Sequence, residues 1–170
     1  MGEGMVTVRD AGPEDAEALA RVRSLSWRSA YDGLLSPALI EIATGPDWVE
    51  RQRAFLTETP GRRALLAEDG DAAVGMAVYG PDRDPGGHAE LYAIYVLPGY
   101  WSKNVGAPLM DGVLDGVRTG GYSRIALWVL AANLRARRFY ERYGFAATEQ
   151  KIIERFGHMT YDVRYEREVR

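Results

Sequence analysis

Residues 88–114 read HAELYAIYVL, then PGYWSKNVGA, then PLMDGVL, and this stretch decides the fold. His88–Leu97 is rich in aromatic and aliphatic residues and is predicted to be a strand. Val105–Gly120 places Leu109, Val113 and Val117 four apart, which is one apolar face of a helix. The loop between them leads a strand into a helix N-terminus, so several backbone N–H groups point outward at the positive end of the dipole. That is the physical form of an anion or phosphate site. Lys103 adds a cation, and Ser102, Asn104, Gly106 and Ala107 are small enough to leave the backbone open to a diphosphate. The spacing matches neither a P-loop nor a dinucleotide fingerprint. A strand–loop–helix connection without any ligand would show the same local pattern, so the loop alone names no class of nucleotide.

Downstream, Arg124–Leu130 (RIALWVL) has the near-continuous apolar character of a strand covered on both faces. Asn133–Tyr143 is predicted helical, with Ala136, Phe139, Tyr140 and Tyr143 at i, i+3, i+4 and i+7, and Gly144 supplies its stop. Ala147–Phe156 and His158–Glu166 form a hairpin around Gly157. Upstream, Met5–Arg9 is a short strand. A helix follows from the Pro13-Glu14-Asp15 start to about Tyr31, then shorter helices opened by Ser36-Pro37 and by Pro46-Asp47-Trp48. Arg63–Glu68 and Ala73–Tyr79 flank Asp69-Gly70-Asp71, a hairpin turn signal. Hairpins and strand–helix–strand units in one chain are accommodated by an α/β (α+β) fold with a mixed sheet and helices on its faces. At 170 residues the expectation is one domain over 1–170.

Composition narrows the function. Hydrophobic residues make up 46% and charged residues 26%, an ordinary globular balance that excludes a disordered or fibrous chain. There is no cysteine, which removes disulfides, thiolate metal sites and cysteine nucleophiles. With only His88 and His158 as imidazoles, no metal site is expected. The net charge of −3 argues against nucleic acid as the main partner. No apolar run approaches the ~20 residues a membrane helix needs, and Met1-Gly2-Glu3-Gly4 lacks a leader's basic segment. No membrane partner and a cytoplasmic location are the expectation.

Two motifs then carry a resemblance. Tyr95-Val96-Leu97-Pro98 followed by Tyr100-Trp101-Ser102-Lys103-Asn104-Val105-Gly106 resembles motif A of the GNAT acetyltransferases, whose loop binds the pyrophosphate of CoA. Asn133-Leu134-Arg135-Ala136-Arg137-Arg138-Phe139-Tyr140-Glu141-Arg142-Tyr143-Gly144-Phe145 resembles the family's N-x-x-A-x-x-F-Y-x-x-x-G-F pattern. The two stand in the right order, between the right elements. The usual [QR]-x-x-G-x-[GA] is altered: Trp101 replaces the first residue and Asn104 the first glycine. Asparagine is among the non-glycine residues that best tolerate positive φ, so the turn is expected to survive.

The resemblance implies a largely antiparallel mixed sheet of the GNAT type and acetyl-CoA as co-substrate. It implies contacts to CoA from Ile94, Tyr95 and Val96 on a bulged, splayed strand, from Ser102, Lys103, Asn104, Val105, Gly106 and Ala107 in the loop, and from Asn133 and Tyr140. Tyr140 is expected to protonate the departing CoA thiolate; its helical phase equally suits a core residue. Glu90, among Tyr92, Ile94 and Val96 on one strand face, is the candidate base; a solvated carboxylate at a strand's beginning is the other reading. Arg135, Arg137 and Arg138 could approach the nucleotide phosphates or simply form a solvated helix face. Trp27, Tyr31, Asp32, Asp47 and Trp48 are expected near the acceptor, where the acids would favour a cationic amine unless they are merely caps. The expected reaction is direct acetyl transfer to a primary amine, with a small molecule favoured. A peptide N-terminus or lysine as acceptor, or a silent acyl-CoA sensor, are the alternatives, and a homodimer is possible.

Overall fold

The alternation of apolar side chains along the central strands makes two cores, one on each face of a sheet. The computed structural model describes residues 4–170; the leader reading of Met1-Gly2-Glu3 falls outside the described residues. In chain order the strands are β1 (Thr7–Ala11), β2 (Arg63–Asp69), β3 (Ala72–Pro81), β4 (Ala89–Val96), β5 (Arg124–Leu130), β6 (Ala146–Arg155) and β7 (His158–Glu168). The helices are α1 (Ala16–Ala30), α2 (Pro37–Ala43), α3 (Trp48–Glu58), α4 (Gly106–Thr119) and α5 (Leu134–Arg142). Short 3₁₀ turns at Pro13–Asp15 and Pro98–Lys103 lead into α1 and toward α4.

The strand order is β1-β2-β3-β4-β5-β7-β6. Every neighbouring pair is antiparallel except β4 and β5. The α/β, mixed and largely antiparallel sheet expected from the sequence is therefore the one observed. On one face, Leu19 and Val22 of α1 meet Ala64, Leu66, Met76 and Val78. On the other, Leu109, Val113 and Val117 of α4 meet Leu65, Ala67 and Ala77. Adjacent residues of β2 thus serve opposite cores, the consequence of a strand's two-residue period. Close approach of α4 to β3 depends on Gly116, where an added Cβ would lie 2.0 Å from the Tyr79 hydroxyl oxygen.

The C-terminal hairpin departs from simple burial. Val163 and Tyr165 are in the core, whereas Met159 and Tyr161 are exposed. β7 has β5 beside it only from Asp162 onward, and before that residue only β6 accompanies it. Beyond that point the tip meets the start of α3, where the Trp48 ring lies 6.4 Å from that of Phe156.

Candidate active site

The only parallel pair in the sheet is also the shortest. β4 and β5 pair through Ala89, Glu90 and Leu91 against Ile125, Ala126 and Leu127, and then separate. On its other side β4 slips register against β3: Val78 faces Ala93 but Tyr79 faces Leu91, leaving Tyr92 as the extra residue. Such a bulge bends the strand that carries it. The two strands diverge into a cleft of about 240 Å³. Ile94, Tyr95 and Val96 line one wall, Trp128 and Val129 the other, with Asn133 and Tyr140 of α5 beyond them. A strand edge freed in this way offers backbone donors and acceptors to a ligand.

The loop at the mouth adopts the geometry its small residues allow. Asn104 is left-handed, with φ 54° and ψ 36°, so asparagine does here what glycine usually does. It turns the chain into α4, whose N-terminus has no side-chain cap. The first N–H groups of that helix are left for an anion. A Cβ on Gly106 would lie 3.1 Å from the ring of Phe139, so the glycine lets α4 approach α5. Asn104, Gly106 and Ala107 line the cleft. Ser102 and Lys103 are exposed beside its mouth, and Val105 is buried in the core and can offer only its backbone. This constellation of unpaired strand edge, uncapped helix and small-residue turn fits an acyl-CoA: amide-rich arm along β4, diphosphate at α4.

Tyr140 projects from α5 into the same cleft. Phe139, Phe145 and Tyr165 surround its ring, with centroids 5.7, 6.0 and 6.4 Å away. It is 8% exposed, and burial, followed by the neighbouring Tyr95, raises its pKa well above that of a free phenol. The phenol therefore keeps its proton at neutral pH. Asn133 has a task that the sequence did not announce. Its Oδ1 accepts from the Ala136 backbone N–H at 3.2 Å and caps α5, which fixes the helix that presents Tyr140.

Glu90 lies elsewhere. It lines a second, smaller cavity of about 60 Å³ that adjoins the cleft and shares Tyr31, Tyr95 and Trp128 with it. Its carboxylate is buried and taken up by Arg83, whose Nη2 donates at 2.6 Å, Nε at 3.0 Å and backbone N–H at 3.1 Å. The loop carrying Arg83 is pinned in turn by Arg164, which pairs with Asp82, Asp84 and Glu166.

Two further residues of the site, Arg155 and Ser26, escaped sequence reasoning, and Trp101 of the loop motif makes contacts that its sequence does not show. The indole N–H of Trp101 donates to the Val96 carbonyl at 2.8 Å, and the Arg135 guanidinium lies 3.5 Å from the Trp101 ring centroid. Arg155 reaches the second cavity from the far hairpin. Ser26 places a buried hydroxyl with no partner among the described residues beside the cleft. Arg155 and Ser26 have no local signal, because each reaches its cavity only through the fold. Arg137 is bound internally to the Tyr165 hydroxyl and the Ala131 carbonyl, Arg138 is exposed, and Arg135 alone of the three lines the cleft.

Known proteins share this architecture. The model of the Acetyltransferase (GNAT) family matches residues 20–145. A Mycobacterium tuberculosis protein named as an uncharacterized N-acetyltransferase is 31% identical over 157 residues, which cover 91% of this chain and 98% of the relative. PaiA N-acetyltransferase of Thermoplasma acidophilum, solved in complex with coenzyme A, is similar with a TM-score of 0.76 at 22% identity, over 96% of this chain and 99% of that one. The acetyltransferase YncA of Salmonella typhimurium, solved with its cofactor acetyl-CoA, has a TM-score of 0.75 at 20% identity, over 97% and 94% of the two chains.

Proposed function

Because the chain belongs to the acetyltransferase (GNAT) family and is an acetyl-CoA-dependent N-acetyltransferase, we propose that its acceptor is a small-molecule primary amine, acetylated directly within a ternary complex. One observation carries this reading. The cleft that fits the acyl-CoA shares Tyr31, Tyr92, Tyr95 and Trp128 with an adjoining cavity of only about 60 Å³. A space of that size suits a compact amine rather than a peptide segment.

In this assignment the freed edge of β4 aligns the thioester, and the α4 N-terminus holds the diphosphate against the positive end of its dipole. The amine nitrogen bonds to the acetyl carbon, the carbon–sulfur bond breaks, and Tyr140 delivers a proton to the leaving sulfur. Burial makes the phenol a weaker acid than a free one, and the same poorly solvated cleft makes the departing thiolate a stronger base, which drives the transfer. One proton leaves nitrogen as one joins sulfur, so a neutral amine releases no net proton. An ammonium must first lose its extra proton, and we assign that acceptance to Glu90, through water, from the adjoining cavity. The reaction would draw on cytoplasmic acetyl-CoA; no helix among the described residues is long and apolar enough to cross a membrane.

Thiol-reagent detection of CoA release against a panel of amines tests the function directly, since a chain without cysteine contributes no background of its own. Amine-dependent release supports transfer. Release that no amine accelerates would overturn it. Glu90→Gln should lower the rate about 10- to 100-fold at neutral pH, with rising pH restoring it as free amine replaces ammonium. A pH–rate profile of wild-type shape in that variant removes the assignment.

One contact competes with the acyl-CoA for the freed edge: the Trp101 indole N–H already occupies the Val96 carbonyl. Trp101→Phe keeps the ring beneath Arg135 but deletes the indole N–H. Calorimetry should find acetyl-CoA bound about 2- to 10-fold more tightly by this variant, the worth of one competing hydrogen bond. Unchanged affinity would mean that the ligand does not use this carbonyl.

A further inference from the structure

The second cavity has an unusual charge balance. Two buried carboxylates stand at or just behind its wall, and each already has its arginine: Glu90 with Arg83, and Asp162 with Arg155. A third arginine, Arg23 of α1, is 7% exposed and pairs with no carboxylate among the described residues. One of its N–H groups donates to the Ala43 carbonyl, and its guanidinium lies 3.3 Å from the Trp48 ring centroid and 4.9 Å from that of Trp27, a lining residue. Carbonyl and aromatic contacts offset only part of the cost of burying a cation. Burial first, with repulsion from Arg155 and Arg51 added to it, pushes the Arg23 pKa down to about 10, so the group is still charged at neutral pH.

Arg155 has donors to spare. Its Nη2 pairs with Asp162 and its Nε donates to Thr160 Oγ1 at 3.2 Å, which leaves Nη1 without a protein partner among the described residues. Asp162 is fully occupied in return, since Thr160 Oγ1 donates to its other oxygen at 2.8 Å. The acidic residues that the sequence suggested for this region stand apart: Asp32 and Asp47 are exposed and line neither cavity.

We propose, resting on the acetyl-transfer reading above, that the acceptor amine carries a carboxylate, which Arg155 binds in the second cavity with Arg23 behind it. Tyr31, Tyr95 and Trp128 line both spaces, so a molecule anchored at Arg155 presents its other end to the cleft. Size agrees with charge. The cavity of about 60 Å³ holds roughly four to six water-sized units at ~10–15 Å³ each. That is room for a carboxylate on a short linker. An aminoglycoside would be too large, and the charges of a diamine or polyamine would meet arginines of the same sign. The acceptor class is a small amino acid or ω-amino acid.

The test is steady-state CoA release with matched acceptors: alanine against alaninamide, β-alanine against β-alaninamide, 4-aminobutyrate against its amide, and putrescine as a cationic control. Each carboxylate should exceed its amide in kcat/KM by about 10- to 100-fold, the range of one or two charge-assisted hydrogen bonds. Arg155→Gln alone would strand the buried Asp162, so the informative variant is Arg155→Gln with Asp162→Asn, its fold checked by thermal melting. In it the carboxylate-to-amide ratio should fall toward one, and Arg155→Lys should keep part of the preference. Amides or putrescine serving equally well, or a ratio unchanged in the double variant, would overturn the proposal. Binding of N-acetyl-β-alanine against N-acetyl-β-alaninamide to the CoA-loaded protein, followed by tryptophan fluorescence, decides the matter even where no acceptor turns over. Tighter binding of the acid supports the proposal and equal binding refutes it. Acetyl-CoA binding by calorimetry separates the two levels: binding without carboxylate preference removes only this inference, whereas no binding removes the transfer reading and this inference with it.

Discussion

Tyr140→Phe is expected to reduce amine-dependent CoA release by about 100-fold or more while acetyl-CoA affinity changes little. The two halves of that expectation have separate physical sources. Phenylalanine retains the ring that Phe139, Phe145 and Tyr165 enclose, so the fold and the cleft wall are preserved. What is lost is one O–H on a cleft-lining residue, with no hydrogen-bond partner among the described residues. A thiolate leaving without that proton must depart as an anion in a poorly solvated space, and about 100-fold corresponds to ~2.7 kcal/mol. The pH dependence follows in sign. Burial raises the Tyr140 pKa, so the catalytic, protonated form persists at least to the ordinary phenol value near ~10. Loss of wild-type kcat below that pH must therefore come from another group. Turnover that survives the substitution intact would remove Tyr140 from the mechanism.

Arg164→Met should destabilise the protein by about 3–5 kcal/mol. Arg164 is 7% exposed and holds three acids at once: Asp82, Asp84 and, at 3.0 Å, Glu166. The Asp82 side chain is 1% exposed, so methionine would leave a buried carboxylate without a counter-ion. For a chain of this length each kcal/mol moves the melting temperature by about 2–4 °C, which predicts a drop on the order of 10 °C. Adding Asp82→Asn should recover part of it, because the remaining burden is then a neutral amide. A melting temperature within about 2 °C of wild type would show that water reaches Asp82 in the variant. Function should suffer as well, because the Asp82–Asp84 segment carries Arg83, and Arg83 holds Glu90.

Periodicity and backbone chemistry are local properties, and they made much of this protein legible in advance. The four-residue spacing of Leu109, Val113 and Val117 gave the inward face of α4, and these three are buried. The tolerance of asparagine for positive φ anticipated the left-handed Asn104. The departure of β4 from β5 after Leu91 was expected only through the family resemblance, since nothing in AELYAIYV states where a neighbour stops pairing. Asn133 was expected to touch the ligand, and its capping bond to Ala136 became visible only when the helix start was located one residue later.

Charge was where sequence reading failed. Asp32 and Asp47 suggested a site for cations because they are close in sequence to Trp27, Tyr31 and Trp48, yet both face solvent, while Arg155 arrives from more than a hundred residues away. Glu90 could be read from the sequence as a desolvated base or as a solvated carboxylate; it is buried, and its occupation by Arg83 depends on how the β3–β4 loop folds back. The sequence by itself determined the elements, the loop that suits a diphosphate and the helix bearing Tyr140, because each follows from neighbours within a few residues. Only the tertiary structure decided which charges meet: electrostatic partners are chosen by distance through space, and β6 and β7 reach the second cavity only because β7 pairs with β5.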